Sequence, residues 1–171
     1  AIGETRPDGA EAAGERDRKG VSPSGHGTGK PPSVTLALAG PADRGDLRRL
    51  LQESGLPVGD VGKVGQEFLV ARFDGELVGC AGAELYGGAA LLRSLAVTGS
   101  WRGEGLGDRL LRAIVEHARN RGARDLYALT TTIETLLARR GFERVDRADV
   151  PPAVRQSAEF STVCPGSAAC M

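Results

Sequence analysis

A glycine-rich turn between a strand-like segment and a helix-like segment constrains the fold of this chain more than any other feature. The turn reads Trp-Arg-Gly-Glu-Gly-Leu-Gly over residues 101–107, and the apolar segment 91–97 precedes it. Apolar side chains follow it at helical spacing: Leu106, Leu110, Leu111, Ile114, Val115 and Ala118. The first N–H groups of a helix lack intrahelical partners, and the helix dipole adds partial positive charge there. The sequence therefore predicts a phosphate-binding turn at the start of a helix.

Neither of two common phosphate-binding motifs is complete in this sequence. The dinucleotide fingerprint Gly-x-Gly-x-x-Gly fails at the turn because Leu110 stands where the third glycine belongs. The nearest match to a P-loop, residues 24–31, has Ser24 in place of the first glycine and Pro31 in place of the Ser/Thr. We interpret residues 24–31 as linker.

The turn resembles the acyl-CoA signature of the GNAT N-acetyltransferase superfamily. Arg102, Gly105 and Gly107 form an Arg-x-x-Gly-x-Gly motif between strand and helix, and Gly141-Phe142 matches a later family feature. The resemblance runs from about residue 34 to the end and implies acetyl-CoA as co-substrate. It also implies that the turn binds the pyrophosphate and the preceding strand binds pantetheine. The implied cofactor-binding residues are Leu95, Ala96, Val97, Arg102, Gly103, Glu104, Gly105, Leu106, Gly107 and Asp108.

The order of predicted elements matches that family. We predict strands at 34–39, 68–73, 76–86, 89–97, 125–130, 142–145 and 160–163, and helices at 41–55, 106–122 and 133–140. Residues 56–66, which contain Pro and three Gly, are expected to be mobile. The predicted fold class is α/β (α+β), a GNAT-like mixed, mostly antiparallel central sheet flanked by helices.

Composition indicates a polar segment followed by one domain. Residues 1–33 hold no aromatic and few large apolar side chains, so we expect a disordered tail or linker before an acetyltransferase domain at 34–171. The 171 residues include 22 basic and 22 acidic side chains, which favours neither a nucleic-acid nor a membrane partner. Three cysteines fit a reducing cytoplasm, and neither histidine has metal-ligand spacing, so no metal is expected.

Acetyl transfer to an amine needs an oxyanion donor and a base. The resemblance implies the backbone N–H of Val97 as oxyanion donor, where two central strands separate. It implies Glu84, near the end of the third strand, as a base acting through water; the alternative is a solvated carboxylate. Leu137 replaces a tyrosine common in the family, so leaving-group protonation would come from water or Tyr127, or would not be needed.

Arg93 is a charged residue within an otherwise apolar strand. Its planar fork suits a substrate carboxylate, which makes it a candidate substrate-binding residue together with Glu84. A structural ion pair with Glu84 or a neighbouring acid is the alternative.

Several segments resemble the arsenic-resistance N-acetyltransferases in particular: 91–97, 129–132, 150–154 and the ending Cys-Pro-Gly-Ser-Ala-Ala-Cys-Met. That resemblance implies a small-molecule partner, the α-amine of a glutamate-like or arsenic-containing amino acid. Cys164 and Cys170 could bind arsenite or could be ordinary packing residues. A non-catalytic CoA- or arsenite-binding sensor, or an acetyltransferase for a protein N-terminus or antibiotic amine, stay open as alternatives. Members of the superfamily often pair, so a homodimer is a further expectation.

Overall fold

The structure is a computed structural model that describes residues 33–163 and 165–171. The predicted tail at 1–33 lies outside these residues, apart from Ser33, and Cys164 lies outside them too. No helix among the described residues has the length and apolar character needed to span a membrane.

The described residues form a mixed sheet with helices on both faces. Its six strands lie in sequence order, and neighbours are antiparallel except β4 and β5, which are parallel. The strands are β1 (Thr35–Leu38), β2 (Gln66–Phe73), β3 (Glu76–Tyr86), β4 (Ala89–Val97), β5 (Asp125–Thr130) and β6 (Ala169–Cys170). The helices are α1 (Arg44–Glu53), α2 (Leu106–Asn120), α3 (Glu134–Ala138) and α4 (Pro152–Arg155). The predicted fold class is confirmed.

Successive side chains along each strand point to opposite faces of the sheet, so the core consists of one layer on each face. On β2, Phe68 and Val70 pack against α1, whereas Leu69 and Ala71 belong to the cluster that contains α2. The helix α4 and the segment before it cover the α1 face near β4, where Val150 and Val154 pack on Leu91. We call these the α1 face and the α2 face of the sheet.

The helix α2 approaches β3 closely because Gly79 has no side chain. A Cβ at this position would lie 2.8 Å from Leu110 Cδ1 and 3.2 Å from the Ala96 carbonyl oxygen. Such distances are well inside van der Waals contact, so the close approach requires glycine. It fixes the start of α2, and with it the glycine turn, against the ends of β3 and β4.

The sheet opens between its two parallel strands. The β4–β5 ladder ends at the pair Leu92 and Ala128, and β5 continues by pairing with β6 instead. At the same level β4 contains a β-bulge, in which Ser94 and Leu95 together oppose Ala81 of β3. Ser94 has a φ of 55°, a left-handed conformation that side chains rarely adopt. The bulge bends β4 away from β5, and the predicted separation of these strands is confirmed.

Two predicted strands near the C-terminus are wrong. Residues 142–145 are irregular: the Val145 N–H donates to the Cys170 carbonyl oxygen of β6 (3.0 Å), but the segment forms no regular ladder with the described residues. Residues 160–163 lie in a π-helical turn, Glu159–Val163, where the Ser161 hydroxyl donates to the Ser157 carbonyl four residues earlier (2.9 Å). The two-residue β6 forms the sheet edge instead.

Residues 56–65 form turns and irregular backbone, and Gln66 begins β2. Asp60 and Val61 within this segment are nevertheless buried. Val61 packs against α1, and the Arg48 side chain of that helix donates to its carbonyl oxygen at 3.2 Å. These contacts tie the segment to the α1 face.

Candidate active site

A cavity of about 270 Å³ occupies the opening between β4 and β5. Ala81 and Gly82 both line it, and consecutive residues of a strand face opposite sides of the sheet. The cavity therefore reaches both faces of the sheet. Its α2-face wall is apolar and includes Leu111, Ile114, Ile133 and Leu137; its α1-face wall includes Pro57, Gly82, Arg93 and Glu159.

The predicted phosphate-binding turn lies beside this cavity and is open. Gly103 and Gly105 have φ values of 83° and 76°, and Gly105 is the N-cap of α2. No heavy atom lies within 4 Å of a Cβ position at either glycine, among the atoms of the described residues. The Arg102 Nε donates to the Val97 carbonyl oxygen (3.3 Å), which ties the turn to the end of β4. Backbone N–H groups at the start of α2 are thus accessible to an anion.

Asp108 places a negative charge in the first turn of α2, where it would repel a bound phosphate. Its carboxylate is held by Arg140, whose Nε lies 2.6 Å from Asp108 Oδ1, and by Arg112 at 3.5 Å. The two guanidinium groups offset that charge. The carboxylate of Asp108 is thus occupied by two arginines, whereas Glu104 is exposed to solvent.

The remaining cofactor candidates lie where β4 meets the turn. Leu95 lines the cavity, while Ala96 is buried on the α1 face. A Cβ on Gly107 would lie 3.8 Å from Val97 Cγ2, so the turn packs on the last residue of β4. The buried Leu106 belongs to the same core cluster as Leu110.

Arg93 is the centre of a buried ion-pair network. Its Nη1 and Nη2 lie 2.5 and 2.8 Å from the two carboxylate oxygens of Asp60, a bidentate pair. Nη2 also lies 3.1 Å from Glu159 Oε1, and Nη1 lies 3.5 Å from Glu84 Oε2. The Nε donates to the Ser94 hydroxyl (3.3 Å), and the side chain is 0 % exposed. The structure thus shows Arg93 in structural ion pairs with neighbouring acids, which was the alternative to substrate binding, and Asp60 is its main partner.

The Arg93–Asp60 pair is held in its charged form. The hydrogen bond from Arg93 lowers the pKa of Asp60, against the opposing effect of burial. Burial by itself would lower the pKa of Arg93, but the hydrogen bond to Asp60 and the charges of Glu159, Asp60 and Glu84 raise it overall. The guanidinium and the Asp60 carboxylate therefore stabilise each other.

Glu84 is buried rather than solvated, with 8 % of its surface exposed. Its Oε1 accepts a hydrogen bond from Gln66 Nε2 at 2.8 Å. Its Oε2 has no hydrogen-bond donor among the described residues, although Arg93 Nη1 lies 3.5 Å away. Glu84 lies two residues along β3 from Gly82, next to the cavity rather than in its wall. A buried carboxylate oxygen without a donor is costly, so a hydrogen-bond donor brought by substrate or water would stabilise it.

The other sequence candidates have structural roles. Thr130 caps the start of α3, since its Oγ1 accepts from the N–H groups of Thr132 (3.1 Å) and Ile133 (2.9 Å). Tyr127 packs in the cluster around Leu91 and does not line the cavity. Burial raises the pKa of the Cys80 thiol to about 12, so Cys80 is an unreactive packing residue.

Cys170 is buried in β6, but Cys164 lies outside the described residues, so the arsenite hypothesis has no structural counterpart here. No group of three or more His, Cys, Asp or Glu side chains within residues 33–163 and 165–171 is arranged to hold a metal ion. His117, expected at the surface, is half-buried against Glu67 of β2.

A mixed sheet that opens between two parallel strands, beside a glycine turn that begins a helix, is the arrangement of a GNAT-type acetyltransferase. The chain belongs to the acetyltransferase (GNAT) family, which its sequence matches over residues 41–151. The predicted membership of the GNAT superfamily is confirmed.

Individual relatives extend this comparison. The amino-acid acetyltransferase of Neisseria meningitidis serogroup A is 34 % identical over 92 residues, which cover 53 % of this chain and 21 % of that protein. The chain thus spans about a fifth of the length of this relative. N-acetylglutamate synthase from Neisseria gonorrhoeae, solved with coenzyme A and L-arginine, is 26 % identical with a TM-score of 0.62, over 71 % of this chain and 30 % of that one. The same enzyme with coenzyme A and N-acetyl-glutamate shares the fold at a TM-score of 0.67 and 24 % identity, over 82 % and 35 %.

Proposed function

We propose that this chain transfers the acetyl group of acetyl-CoA to the primary amine of a small amino acid. The cavity that crosses the sheet beside the open glycine turn carries this proposal, because it gives two substrates access to one point from opposite faces. The similarity to a protein named as an amino-acid acetyltransferase, and to one solved with coenzyme A, supports both substrate classes.

In this proposal CoA occupies the α2 face. Its pyrophosphate lies at residues 102–108, where the N–H groups at the start of α2 and the helix dipole favour an anion. Its pantetheine arm lies along 95–97, because β4 has no strand partner on the β5 side beyond Leu92. The arm then enters the apolar part of the cavity, and the acetyl group reaches the opening in the sheet. The Val97 N–H is the proposed oxyanion donor.

The acceptor amine approaches from the α1 face as an ammonium ion, which must lose a proton before it can attack. We assign this proton to Glu84 through a water molecule, because Glu84 Oε2 is buried next to the cavity without a hydrogen-bond donor among the described residues. The nitrogen lone pair then forms a C–N bond to the thioester carbon. The tetrahedral adduct loses one N–H proton to water and the C–S bond breaks, with its electron pair leaving on the CoA thiolate. The thiolate takes a proton from water, so the products are the neutral amide and free CoA.

A glutamate-like or arsenic-containing amino acid is the specific acceptor that we propose from the sequence resemblance. Arg93 lines the cavity, but its fork already binds Asp60, so a substrate carboxylate would have to replace Glu159 or Glu84 at the guanidinium. Thr131 and Thr132 line the same cavity and offer hydroxyl donors for a carboxylate.

Release of free CoA from acetyl-CoA, followed with a thiol reagent across a panel of amines, tests the proposal. The panel contains glutamate, arginine, arsenic- and phosphorus-containing glutamate analogues, a peptide N-terminus and an aminoglycoside. We expect amine-dependent release with the glutamate-like members. Release with only the peptide or the aminoglycoside would show that the acceptor is a protein N-terminus or an antibiotic amine instead of a small amino acid. No release with any member would favour the non-catalytic sensor.

Replacing Gly105 with alanine is expected to weaken CoA binding. Alanine in the left-handed conformation of Gly105 costs about 1–3 kcal/mol of conformational free energy, because its Cβ is strained there. Relief of this strain would shift the backbone N–H groups that face the pyrophosphate in the proposed complex. Loss of one hydrogen bond to a charged group, about 1.5–3 kcal/mol, corresponds to roughly tenfold or more in Kd. Isothermal titration with CoA measures the change.

Gly87→Ala is a matched control for this variant. Gly87 also has a left-handed φ (64°, against 76° for Gly105) and open space around its Cβ position, but it lies in the β3–β4 turn. Both variants should lose similar stability, and Gly105→Ala alone should lose CoA affinity. Equal Kd values in the two variants would contradict the proposed pyrophosphate site.

A further inference from the structure

We infer that Gln66 is a positioning residue that holds Glu84 in place to act as the base. The inference deepens the proposed function and rests on it. Gln66 was not a candidate from the sequence, where it ends the segment that we expected to be mobile. In the structure it begins β2 and lies directly opposite Glu84 of β3, on the α1 face of the sheet.

The side-chain amide of Gln66 binds the proposed base directly. Its Nε2 donates to Glu84 Oε1 at 2.8 Å and lies 3.5 Å from Asp60 Oδ2. An amide nitrogen carries two N–H donors, so one group serves both carboxylates. Gln66 therefore connects Glu84 to the acid that is the main partner of Arg93.

The other end of the amide fixes its orientation. Gln66 Oε1 accepts a hydrogen bond from the backbone N–H of Gly62 at 3.0 Å. The reversed amide would place its oxygen against two carboxylates and its NH₂ group against another N–H donor, so these contacts select a single orientation. Gly62 has a φ of 95°, a left-handed conformation that favours glycine. The turn before β2 thus directs the amide nitrogen toward Glu84.

This arrangement distinguishes the two oxygens of Glu84. Oε1 is occupied by the Gln66 amide, whereas Oε2 is buried without a hydrogen-bond donor among the described residues. The hydrogen bond at Oε1 restricts rotation of the carboxylate, so Oε2 keeps one position. The proposed proton transfer through water therefore has a defined acceptor oxygen, which the water reaches without displacing another donor.

A neutral donor also suits a base better than a cation does. A positive charge beside a carboxylate favours its charged form and opposes the uptake of a proton. The amide of Gln66 orients Glu84 without adding such a charge. The guanidinium of Arg93 is directed mainly to Asp60, at 2.5 and 2.8 Å, and lies farther from Glu84, at 3.5 Å.

The test begins with Gln66→Met, which keeps the length of the side chain and removes its donor. The Gly62 N–H lies at an exposed position, so water replaces the lost acceptor. We expect kcat with the fastest acceptor of the panel to fall roughly tenfold or more, as for loss of a hydrogen bond to a charged group. KM for acetyl-CoA should stay unchanged, because Gln66 does not line the cavity.

A double-mutant cycle with Glu84→Gln shows whether Gln66 acts through Glu84. Two residues that act through one interaction have non-additive effects, whereas independent residues have additive effects. In the Glu84→Gln background, Gln66→Met should therefore leave kcat unchanged. If Gln66 only stabilised the turn before β2, its replacement would lower kcat by the same factor in both backgrounds.

Gln52→Met is the matched control, since Gln52 is an exposed glutamine on α1. It should leave kcat unchanged in both backgrounds. Gln66→Met and Gln52→Met should both keep the circular dichroism spectrum of the wild-type protein, because neither glutamine is fully buried.

The inference is overturned if Gln66→Met keeps the wild-type kcat, or if it lowers kcat equally in both backgrounds. In either case the proposed function stands, because the wild-type protein still releases CoA. An unchanged kcat in Glu84→Gln would overturn the inference too, since Gln66 would then have no base to hold. Failure of the proposed function is a separate result, in which the wild-type protein releases no CoA with any amine, and the inference is then overturned with it.

Discussion

Replacing Arg93 with methionine is expected to lower the free energy of unfolding by about 3–5 kcal/mol, the cost of leaving buried carboxylates without their partner. Methionine has a similar length, so little packing is lost. Asp60, Glu84 and Glu159 would then repel one another in a site where the Arg93 side chain is 0 % exposed. Denaturation in urea, followed by circular dichroism, measures the loss.

An exposed arginine provides the control. Arg49 pairs with Asp46 at 2.9 Å, but its side chain is 69 % exposed, so Arg49→Met should cost no more than about 1 kcal/mol. Equal losses in the two variants would show that the buried network contributes no more than a surface pair.

The loss in Arg93→Met should also depend on pH. Arg93 lowers the pKa of Asp60 in the folded state, so this pair stabilises the fold above the unfolded pKa of about 3.9 and less as pH falls through the folded value. Arg93→Met removes this contribution, so the difference between wild type and variant should be nearly constant from neutral pH to about pH 4 and should shrink as the pH falls further. A difference that stays constant below about pH 4 would contradict the assignment.

Replacing Glu84 with glutamine is expected to lower kcat by about 10²–10⁴, the usual contribution of a general base. Glutamine keeps the size of the side chain and its contact with Gln66, but it cannot accept the proton of the ammonium ion. The measurement is kcat as a function of pH with the fastest acceptor of the panel. The rate of the variant should rise with pH as more of the acceptor is already deprotonated in solution.

Glu76→Gln is the matched control, since Glu76 is an exposed glutamate at the start of the same strand. It should leave kcat and its pH profile unchanged. An unchanged rate and profile in Glu84→Gln would remove Glu84 from the mechanism and leave Glu159 as the nearest alternative base.

The parts of the fold that the sequence predicts well depend on local patterns. The strands Glu76–Tyr86, Ala89–Val97 and Asp125–Thr130 have the predicted limits, because glycines and Asp-Gly turns mark their ends. The glycine turn is likewise predictable from local sequence, because Gly103 and Gly105 adopt left-handed φ values that favour glycine. The four-residue segments 142–145 and 160–163 are too short to show a clear pattern, and their prediction as strands is wrong.

The acidic part of the site could not be predicted, because its members are distant in sequence. Asp60 lies 33 residues before Arg93 and belongs to a segment of turns without hydrophobic periodicity. Glu159 lies in a π-helical turn that follows no recognisable sequence rule. The charged residue in an apolar strand did predict that an acidic partner exists, but only the fold identifies which acids meet it.

In the proposed mechanism, one part of the cavity determines where acetyl transfer occurs, and another part determines which acceptor binds. The central part of the cavity is built from backbone that is fixed by the β4 bulge and by the end of the β4–β5 ladder. The acceptor entrance that we propose includes residues of two connecting segments: Gly55, Leu56 and Pro57, which follow α1, and Glu159 and Pro165, which follow α4. Such segments tolerate substitution, insertion and deletion better than strands do. An ancestor of this chain could therefore have changed its acceptor through those two segments while the point of acetyl delivery stayed constant.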